Sequence, residues 1–230
     1  MTKMTSIFPL PLKRERDKFK INTGLEVKFS AYKYSERLIE VPFLFKNIKS
    51  IPANVLDIGC CEGIYPIQLA MLGYIVTGID TRYYPFNHKN FKFIKSDFIK
   101  TNEFKKQSFD IIINISSLEH FGLLVYGNNE KDPDADYKAM QKIKELLKPE
   151  GQLIFTAPFG KQGRILEFER IYNTSEINYL FNGFKIINKK YYEVYKNKTI
   201  LEIPQEEAEA IEHDEKLGLS CTVCISAIKQ

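Results

Sequence analysis

The stretch Val55-Leu56-Asp57-Ile58-Gly59-Cys60-Cys61-Glu62-Gly63, followed by Asp80 at the end of a second apolar run, constrains this chain more than any other feature. Asn54 to Ile58 is a short buried-strand pattern that stops on small residues, and Ile64 to Leu72 resumes with helical spacing. A tight turn therefore joins strand to helix, and such a turn offers backbone N–H groups to a ligand. Charge restricts which ligand. A pyrophosphate would meet two acids here, Asp57 before the first glycine and Glu62 before the last, and Gly59 to Gly63 lacks the G-x-G-x-x-G spacing of dinucleotide sites. A phosphate-free, cationic ligand fits better. Asp80 ends its strand 23 residues after Asp57, the placement from which a carboxylate accepts both hydroxyls of a ribose.

At 230 residues, with 44% hydrophobic and 27% charged residues, the chain suits a single globular domain with a full core. No apolar run approaches the ~18 residues of a membrane span. Ile7-Phe8-Pro9-Leu10-Pro11-Leu12 is too short and too proline-broken for a signal-peptide core, so a cytoplasmic location is the default expectation. Cys60 and Cys61 are adjacent and the other two cysteines are distant, which makes no disulfide framework. Cys221 and Cys224 have C-x-x-C spacing, but Leu219 to Ile228 alternates like a strand, and residues three apart on a strand face opposite ways. No metal site is expected. The net charge of +4 is uneven: residues 1–50 carry 11 Lys and Arg against 5 Asp and Glu, interleaved with Phe8, Phe19, Phe29, Tyr32 and Tyr34. Such a segment could bind an anionic or sugar-bearing substrate or a nucleic acid strand; a solvated lead-in is preferred for residues 1–20, residues 1–34 as a whole read as a basic lead-in or lid, and a nucleic acid partner is disfavoured.

Ser35 can cap a helix to about Lys49, with Leu38, Val41, Phe45 and Ile48 as its apolar stripe and Pro42 as a kink. Strands and helices then alternate: Asn54–Ile58, a helix from Gly63, Tyr74–Ile79, Phe91–Ile94, Phe109–Ile115, a helix from about Asp136 to Leu147, and Gln152–Ala157. That rhythm implies βαβ units and a parallel sheet. A helix at Ser175–Phe181 and strands at Phe184–Val194 and Leu219–Ile228 follow. Between those strands, Glu202 to Lys216 holds seven acids and one lysine and reads as a solvated helix or loop inserted in a hairpin.

The acid Asp57 followed by Gly59, Cys61 and Gly63 resembles the first motif of the class I S-adenosylmethionine-dependent methyltransferases, an acid followed by G-x-G-x-G, with Cys61 where the middle glycine usually stands. The resemblance implies an α/β, Rossmann-like fold: a seven-stranded, mostly parallel sheet that closes with a C-terminal antiparallel hairpin, helices on both faces, and a methyltransferase domain over residues 35–230. It implies S-adenosylmethionine as cofactor, held by Asp57, Gly59, Cys61, Glu62, Gly63, Asp80 and Thr81, by Ser96 and Asp97 after the third strand, and by Asn114 and Ser116 at the end of the fourth.

Ligands of parallel sheets bind at the carboxyl ends of the strands, so His120, in the loop after the fourth strand, faces the ligand rather than the core. It is the candidate base for deprotonating a hydroxyl acceptor, with Glu119 orienting it or binding a substrate group. Tyr34-Ser35-Glu36-Arg37, Gly78-Ile79-Asp80-Thr81-Arg82-Tyr83-Tyr84-Pro85, Ser116 to Leu123, Tyr126-Gly127, Asp132 to Met140 and Arg170-Ile171-Tyr172 are similar to a methyltransferase subfamily often associated with surface-polysaccharide or glycan biosynthesis. On that likeness Arg82, Tyr83, Tyr126, Arg164, Arg170 and Tyr172 are the substrate-side residues, and the acceptor is a sugar, glycan precursor or other small molecule. Two alternatives stay open: an inactive module that keeps the cofactor site, and a dinucleotide-dependent oxidoreductase. Oligomeric state is not legible.

Overall fold

The computed structural model describes residues 18–20, 26–28, 36–126, 130–161, 164–165, 168–195, 199–213 and 219–230, the side chains of residues 18–20, 26–28, 62 and 164–165 excepted. Within the N-terminal lead-in, Lys18–Lys20 and Glu26–Lys28 pair as a short antiparallel ladder. Ser35, the expected helix cap, lies outside the described residues.

Helix α1 (Arg37–Asn47) contains Pro42 and buries Glu40, Phe43 and Leu44. Of the expected stripe, Val41, Phe45 and Ile48 are partly buried against the same layer, and Leu38 is 54% exposed. A lone carboxylate is costly to bury, and the Thr156 and Ser116 hydroxyls offset that cost at Glu40. The chain continues as β1 (Asn54–Ile58), α2 (Tyr65–Met71), β2 (Ile75–Asp80), β3 (Phe91–Lys95), β4 (Phe109–Ile115), α3 (Ala135–Leu146), β5 (Leu147–Pro158), α4 (Thr174–Leu180), β6 (Phe184–Val194), β7 (Ile200–Ile203), α5 (Gln205–Ala208) and β8 (Ser220–Lys229). Asn173 caps α4 with a reciprocal capping box to Glu176.

One sheet of eight strands has the order β7-β6-β8-β5-β4-β1-β2-β3. The five strands β3, β2, β1, β4 and β5 run parallel, and β8, β6 and β7 add antiparallel ladders at one edge. The seven-stranded expectation therefore needs correcting by one strand. β7 comes from the start of the acidic segment 202–216 and the residues before it, and pairs Ile203 with Tyr191 and Glu202 with Tyr192. The solvated reading of that segment also needs correction, because Ala208 is fully buried and Ile211 nearly so. Two apolar residues among the acids are enough to anchor it. Residues 214–216 lie outside the described residues.

Apolar side chains fill both faces of the sheet. One layer holds Leu56, Ile58, Ile112, Phe155 and Cys221 with α3 and α4, and the other holds Val55, Ile111, Ile113, Ile154 and Cys224 with α1 and α2. Cys221 and Cys224 thus fall on opposite faces, as strand alternation requires, and both are free thiols. No helix among the described residues is long and apolar enough to cross a membrane.

Candidate active site

A cavity of about 400 Å³ opens at the carboxyl ends of β1, β2, β3 and β4, lined among others by Gly59, Asp80, Ser96, Asp97, Ser116 and His120. That volume lies in the range of small-molecule sites. Its apolar wall includes Ile79, Phe98 and Ile99. Gly59 starts the turn after β1 at φ +80°, and a Cβ there would stand 2.0 Å from Ser117 Oγ. Glycine is needed twice over, for the left-handed backbone and for the close approach. Gly59→Ala should lower stability by about 1–3 kcal/mol in chemical denaturation. A loss within error would show that the Ser117 segment moves aside.

The turn is less open than its sequence suggests. Gly59 N–H donates to Ile79 O (2.8 Å), Gly63 N–H to Cys60 O (3.2 Å) and Cys61 N–H to the Asp80 carboxylate (3.0 Å). The expectation of free donors at these positions is corrected: the sheet, Asp80 and the turn itself take them. The Glu62 side chain lies outside the described residues, and Cys61 is partly exposed beside the turn.

Asp80 is the hub of the cavity. Its Oδ1 accepts from the Arg82 backbone N–H (2.9 Å) and Nε (3.1 Å), and its Oδ2 from Cys61 N–H (3.0 Å) and Arg82 Nη2 (3.2 Å). The Arg82 guanidinium also sits 4.3 Å from the centre of the Tyr126 ring, a cation–π contact. Thr81 and Ser96 line the same wall, and Ser96 N–H donates to Asp80 O (3.0 Å). Asp97 Oδ1 receives Ile99 N–H (2.8 Å), an Asx turn that holds the Phe98-Ile99 wall in place.

Asp57 lies beneath the turn, fully buried and outside the cavity lining. Its Oδ1 accepts from Tyr65 OH (3.2 Å), and its Oδ2 is a buried oxygen without a hydrogen-bond partner. Burial pushes this carboxyl up to about 8, against the Tyr65 hydrogen bond, which pulls it down. The folded chain therefore holds a proton that the unfolded chain releases near pH 4. Stability from this group is complete below about pH 4 and is lost as pH rises towards 8, at about 1.4 kcal/mol per pH unit. Asp57→Asn should flatten that slope and unfold at higher denaturant than the parent at pH 8. Parallel pH profiles for the two proteins would overturn the assignment.

Asn114 is fully buried and does not line the cavity; its Nδ2 donates to Ile58 O (3.4 Å) and its Oδ1 accepts from Leu118 N–H (3.1 Å). It ties the end of β4 to the end of β1. Ser116, next along, has φ +41°, uncommon for a residue with a side chain. Its N–H donates to Thr156 O (3.1 Å) and Oγ1 (3.0 Å), and its hydroxyl to Glu40.

His120 lines the cavity with its Nδ1 2.8 Å from the Phe168 carbonyl oxygen. A carbonyl only accepts, so Nδ1 carries the proton and the neutral ring keeps its lone pair on Nε2. The ring packs edge-on against Tyr126 (5.1 Å) and Phe168 (4.8 Å). Nε2 is 3.8 Å from Glu119 Oε1, beyond hydrogen-bond reach. Burial raises the Glu119 carboxyl well above its usual range.

Arg170 is buried and donates to the carbonyl oxygens of Glu119 (3.2 Å), Phe121, Asp132 (3.3 Å) and Pro133 (3.2 Å). This guanidinium clamps the His120 loop to the segment before α3. Tyr172 is in the core, its hydroxyl on Asp136 Oδ2 (3.1 Å), and Tyr83 is 63% exposed outside the cavity. The side chain of Arg164 lies outside the described residues. Among the substrate-side candidates, the structure brings Arg82 and Tyr126 into the cavity and sets Arg170, Tyr172 and Tyr83 apart from it.

The sequence reading missed a buried cluster behind the cavity. Glu40 Oε2 accepts from Arg37 Nη1 (2.6 Å), while its Oε1 accepts from Thr156 Oγ1 (2.6 Å) and the Ser116 hydroxyl. Burial alone would lower the Arg37 pKa, yet the Glu40 carboxylate holds it above its ordinary value. Arg37 also faces the cavity. The only local signal is the i, i+3 spacing of Arg37 and Glu40. Among the described residues, no group of three His, Cys, Asp or Glu could hold a metal ion.

The family described as "Caenorhabditis protein of unknown function, DUF268" matches over residues 75–219, more than half of the chain. A search of curated proteins finds no match. Among solved structures, the 1,6-didemethyltoxoflavin-N1-methyltransferase of Burkholderia thailandensis, with bound 1,6-didemethyltoxoflavin and S-adenosylhomocysteine, is 19% identical with a TM-score of 0.57, covering 84% of this chain and 76% of that one. A SAM-dependent methyltransferase of Methanosarcina mazei is 16% identical with a TM-score of 0.58, covering 82% and 97%. The [4+2]-cyclase SpnF is 16% identical with a TM-score of 0.55, covering 84% and 80%. At these identities the likeness establishes the fold, a Rossmann-like methyltransferase fold with an eight-stranded sheet. The reaction does not follow from it, since one fold carries unrelated chemistries.

Proposed function

This chain belongs to the family described as Caenorhabditis protein of unknown function, DUF268, and we propose that it transfers a methyl group from S-adenosylmethionine to an oxygen of a sugar, glycan precursor or other small molecule. The observation that carries the reading is Asp80, which ends β2 beside the turn after β1 and points its carboxylate at a cavity of cofactor size. The donor set fits an adenosyl cofactor. Asp80 suits the ribose hydroxyls, the Ile79, Phe98 and Ile99 wall suits an adenine ring, and Asp97 lies beside that wall. Thr81, Ser96 and Ser116 extend the lining, and Asn114 ties the Ile58 carbonyl of that lining to the end of β4.

When bound, the cofactor supplies an electrophilic methyl group on a sulfonium. His120 supplies the rest: Phe168 fixes its tautomer, so Nε2 can take the proton from an attacking hydroxyl. Tyr126 and Phe168 hold the ring's plane, and Arg170 holds the loop that carries it. A dinucleotide is disfavoured, because three turn N–H groups that would cradle its phosphates are already donated within the protein. The basic segment 1–34 we assign as a lead-in or lid to the domain at 35–230.

Calorimetric titration with S-adenosylhomocysteine tests the cofactor half. The parent should bind, and Asp80→Ala should bind at least about tenfold more weakly, the size of one lost hydrogen bond to a charged group. Equal affinity in the variant would remove the ribose assignment. A labelled-methyl screen of cell extracts by mass spectrometry tests the acceptor half; labelled nitrogen or carbon products, with no oxygen product, would overturn the hydroxyl assignment.

A further inference from the structure

We propose that Cys60 and Cys61 are a reversible oxidation site: a hydroperoxide converts the pair to a disulfide between neighbouring residues, and the turn after β1 then releases Asp80 and closes the site to the cofactor. The oxidation stands on the turn itself. Its effect on cofactor binding rests on the methyl-transfer reading.

Cys61 stands where the first methyltransferase motif usually has a glycine, so this turn carries two adjacent thiols. They share one 3-10 turn, Cys60–Glu62, but lie at different depths. Cys60 is fully buried with its sulfur over β2, where a Cβ on Gly78 would stand 2.8 Å from Sγ, whereas Cys61 is partly exposed. The two thiols interact directly, and Cys61 together with burial pushes the Cys60 thiol far above its ordinary value. Cys60 therefore stays protonated, and the first attack on an oxidant falls to Cys61. Cys221 and Cys224 are fully buried on opposite faces of the sheet and form no such pair.

In the first step the Cys61 sulfur attacks the hydroperoxide: the O–O bond breaks, an S–O bond forms, and the thiol proton leaves with the departing oxygen as water or an alcohol. In the second, the Cys60 sulfur attacks the Cys61 sulfenic acid. The S–O bond breaks, the S–S bond forms, and the Cys60 proton leaves with the hydroxyl as water. Two thiols are oxidised and one hydroperoxide is reduced. Neighbouring Cα atoms across a trans peptide are about 3.8 Å apart, shorter than the ~4.4–6.8 Å of an ordinary disulfide, so the small ring closes only if the turn's backbone twists. That backbone carries the Cys61 N–H bond to Asp80 (3.0 Å) and the bond from Gly63 N–H to Cys60 O (3.2 Å). Twisting it frees Asp80 from the turn and displaces the cavity edge at Gly59. The same strain makes the disulfide easily reduced, so the modification is reversible.

Peptide mapping and calorimetry on the full chain test both halves. After hydrogen peroxide and then an alkylating agent, the peptide holding Cys60 and Cys61 should be unalkylated and lighter by two hydrogens, and the protein should stay monomeric on a non-reducing gel. Its affinity for S-adenosylhomocysteine should fall at least about tenfold, the weight of one lost hydrogen bond to a charged group, and dithiothreitol should restore both mass and affinity. Dimedone, which adds to sulfenic acids, should label Cys61 in Cys60→Ser and leave the parent unlabelled, because Cys60 consumes the intermediate. The parent's peptide map decides the disulfide even where Cys60→Ser fails to fold. Both cysteines alkylated after peroxide, Cys61 left as a sulfenic or sulfinic acid beside an alkylated Cys60, or a dimer linked through Cys61 would overturn the site. A disulfide formed with unchanged S-adenosylhomocysteine affinity would overturn the closure. Failure of the reduced parent to bind S-adenosylhomocysteine would instead bring down the cofactor reading, while the peptide map still judged the oxidation.

Discussion

Glu40→Ala should cost about 3–5 kcal/mol of unfolding free energy, because it removes one partner of a buried charged cluster and leaves the other behind. Glu40 accepts from Arg37, Thr156 and Ser116, and Arg37 is 19% exposed, so its charge would lose the carboxylate with little water to replace it. Denaturant titration at neutral pH reads the loss. The informative control is the double variant Arg37→Met with Glu40→Leu, which replaces the whole pair by apolar volume and should recover much of the stability. A single-variant loss below about 1 kcal/mol would mean that the cluster is open to water, contrary to the full burial of Glu40. Relaxation of Ser116 is a second consequence. Its left-handed backbone is held by Thr156 and Glu40, so the variant should also disturb the cavity edge.

His120→Ala is expected to reduce methyl transfer by about 10² to 10⁴-fold, the usual weight of a positioned base, with S-adenosylhomocysteine affinity nearly unchanged. The two readouts must separate for the role to stand. Loss of both would make His120 part of the cofactor site, and retention of full turnover would remove it from the chemistry. Glu119→Gln provides the contrast. Burial raises the Glu119 carboxyl and so favours its protonated form, and an isosteric neutral amide should retain most of the turnover if Glu119 acts by packing. A large loss in that variant would show that the Glu119 proton takes part.

The parallel core of the fold was legible because its signals are local. The strand that stops at Gly59, the helix after it, the second strand ending on Asp80 and the long helix Ala135–Leu146 each declare themselves within a dozen residues by period and punctuation. The opposite faces of Cys221 and Cys224 follow from a period of two. What failed was any inference from average polarity. The acidic run after residue 202 contributes part of an edge strand, and its Ala208 and Ile211 dock in the core, because two well-placed apolar side chains anchor it among its acids. In α1 the expected stripe packs at Val41, Phe45 and Ile48, but a charged residue, Glu40, also took a buried position because partners awaited it.

By itself the sequence determined that a strand and a helix meet at a glycine turn, with one acid just before it and another ending the next strand. These are matters of neighbouring residues, governed by backbone freedom and side-chain period. Tertiary structure alone decided which polar groups meet. It joined Glu40 to Thr156 across 116 positions, set the Phe168 carbonyl against His120 across 48, and spent the turn's N–H groups on Ile79 and Asp80. Such pairings depend on where the sheet brings distant segments together, and hydrogen bonds act over a few ångströms of space regardless of distance along the chain.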